Sequence, residues 1–235
     1  MNNIYMVKNF YDYEVINPPP KNLPEGMTTV YLTDGYLNAV EAQLFGWDIV
    51  KVINSFSGIY SKEKRRQGIA AVNCFPHRFA PEVLDFDLVF VNDSDLISLW
   101  TGYADFVSKC TPDKALFVTS GYYQGARDNM LAECEASMQP RWHYNHLTIR
   151  EATKRYASDL DDARAVSVVS AKFIGWNLKH KKYNYMSNFL FDEYQLHLQG
   201  NITLTYMSEK FKHLIYNHHT HDYSGVQQSA HRFEG

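Results

Sequence analysis

Asp93 and Asp95 stand two residues apart behind the apolar run Leu88-Val89-Phe90-Val91. The run carries the β-branched and aromatic residues of a buried strand, and it stops at Asn92-Asp93-Ser94-Asp95. In extended backbone a spacing of two puts both carboxylates on one side of the chain. Two hard oxygen donors at a strand end suit a divalent cation that also holds a phosphorylated ligand. The same residue types equally suit an Asx-rich turn, because Asn, Asp and Ser are favoured there.

Elements on either side must position this stretch. Ile4 to Phe10 reads as a first strand, followed by a stiff connector with Pro18, Pro19, Pro20 and Pro24. Thr28 to Leu32 reads as a second strand, ending in the turn Thr33-Asp34-Gly35. A short helix is expected over Leu37 to Phe45, with Leu37, Val40 and Leu44 at helical spacing, then a strand from Asp48 to Ile53. Lys62 to Phe75 reads as a helix, basic in its first half and stopped by Pro76. Beyond the central strand come a strand at Leu116 to Val118 and a helix from Asp128 to Met138, with Met130, Leu131, Cys134 and Met138 on one face. Further on, a charged helix is expected over Leu147 to Ala157, and a strand over Ala165 to Ile174 closed by Gly175-Trp176-Asn177. An amphipathic helix over Tyr185 to Leu198 and a late strand over Ile202 to Tyr206 precede a tail that holds His218, His219, His221 and His231. Strands alternating with helices predict an α/β domain with a mainly parallel central sheet flanked by helices.

The chain has 235 residues, 45% hydrophobic and 15% aromatic, enough for one large packed domain. No repeat or linker divides it, so residues 1–222 are expected to form that domain and 223–235 a polar tail. A net charge of -3 supplies no global field toward nucleic acid or anionic membrane. The three cysteines are widely spaced and form no C-x-x-C, which argues against a zinc knuckle or a disulfide framework. The N-terminus lacks the apolar core of a signal peptide, and no apolar run approaches the ~20 residues of a membrane span. A cytoplasmic location and no membrane partner are the expectations.

In the order of its landmarks the chain resembles GT-A-type glycosyltransferases that use nucleotide-sugar donors. The landmarks are a first strand leading to Tyr11-Asp12 and the proline connector, Thr33-Asp34 after the second strand, Arg65-Arg66 on a helix that runs into Pro76-His77, and the D-x-D Asp93-Ser94-Asp95. The resemblance spans roughly residues 4 to 220 as ordered short matches. It implies a GT-A-like fold and a cation, Mn2+ or Mg2+, that neutralises the donor diphosphate as a Lewis acid. By the same resemblance Asp95 is a metal ligand and Asp93 reaches the metal or the ribose. Asn9, Phe10, Tyr11 and Asp34 would hold base and ribose, and Arg65 or Arg66 a phosphate or the base. A late histidine, His219 first and His221 second, would complete the metal shell. The glycine that commonly follows that histidine in the family stands late here, at Gly225.

The resemblance also points to Asp192-Glu193 as an acidic pair near the transferred sugar, one of them a general base or a stabiliser of cationic sugar. Trp176, within the lysine- and aromatic-rich stretch Lys172 to Tyr183, is the candidate for stacking on sugar. Each of these residues has an ordinary alternative: a solvated basic helix face, a polar tail, helix-surface acids, a buried core tryptophan. The implied activity is transfer of a sugar from a nucleoside-diphosphate donor, a UDP-sugar foremost, to a hydroxyl of a saccharide, protein or hydroxymethylated DNA base. Two other readings stand beside it. One is a metal-dependent phosphoesterase or hydrolase; the other is a non-catalytic nucleotide-sugar-binding protein.

Overall fold

Two faces of one sheet are apolar, and the strand sequences show why. A computed structural model describes residues 2–10, 16–53, 62–94, 103–120, 129–137, 154, 160–197 and 200–219, with some side chains inside its elements, Arg65, Arg66, Lys172 and His219 among them, left undescribed. In chain order the strands are β1 (Asn3–Asn9), β2 (Thr28–Thr33), β3 (Ile49–Val52), β4 (Leu88–Asp93), β5 (Leu116–Ser120), β6 (Val169–Asn177) and β7 (Ile215–His219). The helices are α1 (Tyr36–Leu44), α2 (Lys62–Cys74), α3 (Pro76–Phe79), α4 (Tyr103–Ser108), α5 (Met130–Ser137), α6 (Leu160–Ala165), α7 (Tyr183–His197) and α8 (Gly200–Lys210). β1, β2 and β4 are continuous apolar runs because both faces are covered, as in a parallel sheet flanked by helices.

Among the described residues the sheet order is β3-β2-β1-β4-β6-β5-β7. β6 pairs antiparallel with both β4 and β5, while every other pairing is parallel. The carboxyl ends of all strands except β6 therefore share one edge. On one face Ile4, Met6, Val30, Leu32, Val89 and Val91 pack with Val72 of α2. The same layer continues with Leu116, Val118, Ile174 and Trp176 against Ala70 and Cys74 of α2, Met186 and Leu190 of α7, and Leu204 of α8. On the opposite face Tyr5, Val7, Tyr31, Phe90 and Phe117 pack with Trp47 and with Phe106 of α4.

Several expectations are corrected here. Residues 202–206 lie inside α8 and form no strand. The β-favouring threonines are accommodated by buried hydrogen bonds: Thr205 Oγ1 accepts from the backbone of Val169 at 2.9 Å and donates to the carbonyl of Asn201 at 2.6 Å. Gly175-Trp176-Asn177 is the last part of β6 rather than its closure, and Ala165 ends α6 instead of opening the strand. On α1 the spaced apolar residues face outward: Leu37 is 85% exposed and Leu44 82%, while the small Ala39 and Ala42 turn to the sheet. The helix expected over 147–157 lies outside the described residues apart from residue 154.

Candidate functional site

The strand register brings Asp93, the first residue of the D-x-D, next to the end of the first strand. Lys8 of β1 lies opposite Asp93 of β4, and Asn9 lies opposite Thr33 of β2. Alternation along β4 puts Asp93 on the face of Val89 and Val91, toward α2. There Lys8 Nζ forms an ion pair with Asp93 Oδ1, the lysine side chain 3% exposed and the aspartate 24%. Ser94 is fully buried while Asp93 reaches solvent, the alternation that the two-residue spacing predicts at these positions. The Ser94 hydroxyl finds no hydrogen-bond partner among the described residues.

The other face of the same strand ends is fastened by amide–phenol bonds. Asn9 Nδ2 donates to Tyr31 Oη at 2.8 Å, and Asn92 Nδ2 donates to Tyr5 Oη at 2.8 Å. Trp47 stacks on Tyr5 with ring centroids 6.2 Å apart, and its indole N–H donates to the carbonyl of Asn17 at 2.9 Å. Asn17, in the proline connector, donates from Nδ2 to the carbonyl of Ser94 at 3.3 Å. The connector is thus tied to the backbone of Ser94, just past β4. Spacing between residues distant in sequence hides this link; the signal available was a lone polar Asn before three prolines.

Asp34 follows β2 at the shared edge and is half-buried, and the Gly35 N–H donates to Thr33 Oγ1 at 3.1 Å. Asn9 is enclosed with Tyr31, and Phe10 is 1% exposed in the apolar cluster of Ile4, Met6 and Val72. Phe10 therefore anchors the strand end in the core. Tyr11 lies outside the described residues. The backbones of Arg65 and Arg66 belong to the first half of α2. Because α2 crosses from β3 to β4, its end lies at the amino edge of the sheet, where Asn73 meets Trp176, and its first turns lie toward the edge that carries Asp93.

Lys8 is the charged neighbour of Asp93 that the spacing of chemistry-bearing groups missed. Its signal was a lysine inside the otherwise apolar Ile4-Tyr5-Met6-Val7 run. A charge in that position has to meet a counter-charge.

Other expected site residues lie elsewhere. Trp176 is fully buried, pairs with Val89 and Leu116 near the starts of β4 and β5, and donates its indole N–H to the carbonyl of Asn73 at 2.7 Å. It is a core tryptophan, because β6 runs against its neighbours and carries its C-terminal end to the edge opposite Asp93. The basic turn of Lys179, His180, Lys181 and Lys182 follows at that far edge. Asp192 and Glu193 lie on α7. The first is exposed and its charge acts on Cys74, whose thiol is pushed up by burial first and by Asp192 second. The charge of Glu193 acts on Lys210, whose ammonium is held up mainly by its hydrogen bond with Tyr206.

β7 ends at His219, opposite Ser120 of β5. Three strand spacings separate β7 from β4, about 14 Å between backbones at ~4.8 Å per strand. His218, 3% exposed, packs against Phe106 and lies 3.0 Å from Tyr216 Oη through Nδ1. Asp95 and His221 lie outside the described residues, as does the side chain of His219. Among the described residues no group of three or more His, Cys, Asp or Glu side chains could hold a metal ion. The donor at the end of β4, a carboxylate with one oxygen toward an ammonium, has the hard-oxygen chemistry of a Mn2+ or Mg2+ ligand.

No family model matches the chain, and no curated protein matches it in sequence. Among solved structures, the apo WbbM bifunctional glycosyltransferase aligns with a TM-score of 0.54 at 9% identity, over 92% of this chain and 38% of that one. The chain thus spans well under half the length of WbbM. Mouse xyloside xylosyltransferase 1 aligns with a TM-score of 0.48 at 9% identity, covering 92% of this chain and 85% of that chain. A 4-diphosphocytidyl-2C-methyl-D-erythritol synthase from Anaerococcus prevotii aligns with a TM-score of 0.45 at 7% identity, covering 93% and 88%. The fold is a GT-A-like α/β domain with a mixed, mostly parallel sheet, as the landmark order implied. No helix among the described residues is long and apolar enough to cross a membrane.

Proposed function

We propose that this chain is a metal-dependent glycosyltransferase that moves a sugar from a nucleoside-diphosphate sugar, a UDP-sugar foremost, to a hydroxyl acceptor. One observation supports this above the rest. Parallel strands β2, β1 and β4 deliver Asp34, Asn9 and Asp93 to one edge, with Asp93, the first carboxylate of the D-x-D, closing β4. Ligands of open α/β sheets bind at that edge. In this reading Asp95 holds Mn2+ or Mg2+, which offsets the charge of the leaving diphosphate. Asp93 and Asp34 orient the donor, Arg65 or Arg66 reaches a phosphate, and His219 or His221 completes the metal shell. The acceptor is a saccharide, a protein or a hydroxymethylated DNA base.

Calorimetric titration with a panel of UDP-sugars, with and without Mn2+, tests the reading alongside a donor-hydrolysis and transfer assay. Mn2+-dependent binding with turnover, both abolished by Asp95→Ala in a folded protein, is the expected result. Binding without turnover instead identifies a nucleotide-sugar-binding protein. Turnover of simple phosphate esters with no sugar donor identifies a phosphoesterase. Unchanged turnover in D95A overturns the metal assignment.

A further inference from the structure

We infer that the outer face of α1 is the contact surface of a two-fold dimer, its occupant the same face of a second copy of this chain. The inference stands apart from the glycosyltransferase reading and uses none of the strand-end residues.

Surface helices ordinarily turn their apolar side to the core and their charges to water. On α1 the large apolar side chains point the other way. Ala39 and Ala42 are buried, while Tyr36 is 70% exposed, Leu37 85%, Val40 54%, Leu44 82% and the following Phe45 40%. These are five of the seven large apolar side chains that stand exposed among the described residues; the other two, Leu84 and Tyr185, lie on separate elements. Leu37, Val40 and Leu44 follow one another at spacings of three and four, the pattern of a seam between two packed helices. Tyr36 and Phe45 prolong that seam at its two ends.

Area and charge select the occupant. Together the five side chains leave roughly 700 Å2 in water, above the ~300–600 Å2 of the largest apolar patch on a typical monomer and near the ~800 Å2 that each partner buries in a standard interface. Two such faces in contact reach the size of a specific dimer. Glu41 is the single charged residue of α1, and no lysine or arginine occurs from Asn22 to Val50. An anionic membrane or a nucleic-acid backbone meets no cation on this stretch. A nearly uncharged apolar face is its own complement, as an isologous contact requires. α1 packs on β2 and β3, and β3 is the outermost strand on that side of the described sheet, so the face lies at one end of the sheet.

Burial of this size with few polar contacts predicts a dissociation constant of about 1–50 µM. In more dilute solution the face is in water, so substitutions there abolish the dimer while leaving the stability of the monomer nearly unchanged.

Sedimentation equilibrium of the full chain tests this by following mass against concentration. Wild type is expected to rise from the chain mass of 27.3 kDa toward twice that value across about 1–200 µM. Leu37→Lys/Leu44→Lys is expected to stay at the chain mass throughout, and Leu84→Lys to dimerise like wild type. If circular dichroism shows the first variant unfolded, Leu37→Gln/Leu44→Gln replaces it with the same outcomes. A wild type that stays at the chain mass overturns the inference, as does a dimer that survives in the α1 variant, a dimer lost in L84K, or a mass that grows past twice the chain. Flotation with phosphatidylcholine vesicles covers the other occupant. A monomeric wild type that floats, with L37K/L44K left in solution, assigns the face to a lipid surface and overturns the dimer.

Discussion

Lys8 and Asp93 face each other across β1 and β4, in register and on the face covered by α2, with the lysine enclosed and the aspartate partly open to solvent. The inequality in burial makes the pair asymmetric. Losing the aspartate strands an enclosed ammonium, whereas losing the lysine leaves a carboxylate that water still reaches.

Asp93→Asn is therefore expected to destabilise the fold by about 2–4 kcal/mol, Lys8→Met by about 1 kcal/mol, and the double variant by less than the sum. Urea denaturation of the four proteins closes this double-mutant cycle. Equal losses in the two single variants would contradict the asymmetry.

Trp176 is core, and its substitution should read as a packing change. Trp176→Ala removes a fully buried indole and its bond to the Asn73 carbonyl, at a cost of about 3–5 kcal/mol. Trp176→Phe, which retains most of the ring volume, should leave UDP-sugar affinity unchanged once folding is verified. A selective loss of sugar affinity in a stable W176F would restore the stacking role.

Gly175 packs its backbone between the Phe90 ring and the Phe117 Cβ on the opposite face of β6. A Cβ built there meets Phe90 Cδ1 at 2.7 Å and Phe117 Cβ at 3.0 Å. Phe90 is held in turn by Phe106 and Phe173, with centroids 5.7 and 5.8 Å away. Gly175→Ala is expected to cost about 1–3 kcal/mol by overpacking, measured as a lower denaturation midpoint.

On α1 the expected effects invert what the apolar spacing predicts. Leu37→Lys with Leu44→Lys should change stability by no more than about 0.5 kcal/mol, because both side chains are already in water. Ala42→Leu, on the face turned to the sheet beside Trp47, should cost about 1–3 kcal/mol. Thermal melts of the two variants decide between the faces.

His77 supplies a pH dependence. Burial first, and the neighbouring Arg78 charge second, hold its imidazole below the ordinary value of 6.5. Nδ1 lies 2.9 Å from Tyr183 Oη, joining α3 to the start of α7. The unfolded chain then binds this proton more readily than the folded one. The stability held above pH 6.5 is lost as pH falls through the lowered folded value. Denaturation midpoints of wild type and His77→Gln between pH 7.5 and 5 should show a shallower fall in the variant. Parallel slopes would exclude His77 as the titrating group.

What the residue order alone determined is the layered α/β class, the apolar strands β1, β2 and β4, the stop of α2 before Pro76, and the placement of a D-x-D at the end of a buried strand. These follow from local physics: strand and helix periodicity, a missing proline N–H, side-chain alternation. Which partner covers each face was decided only in three dimensions. Periodicity groups Leu37, Val40 and Leu44 on one face of α1, yet nothing in it says that small alanines pack on the sheet instead. The sequence Ile202 to Tyr206 favours a strand, yet Asn201 and Thr205 bond to the backbone of β6 from a helix. The reversed direction of β6 carried Trp176 and the basic turn to the far edge, a choice set by pairings between residues some 50 to 90 apart. The Lys8–Asp93 pair belongs to the same class of fact. Each residue was visible in its own strand, but only the parallel pairing of β1 with β4 put one charge against the other.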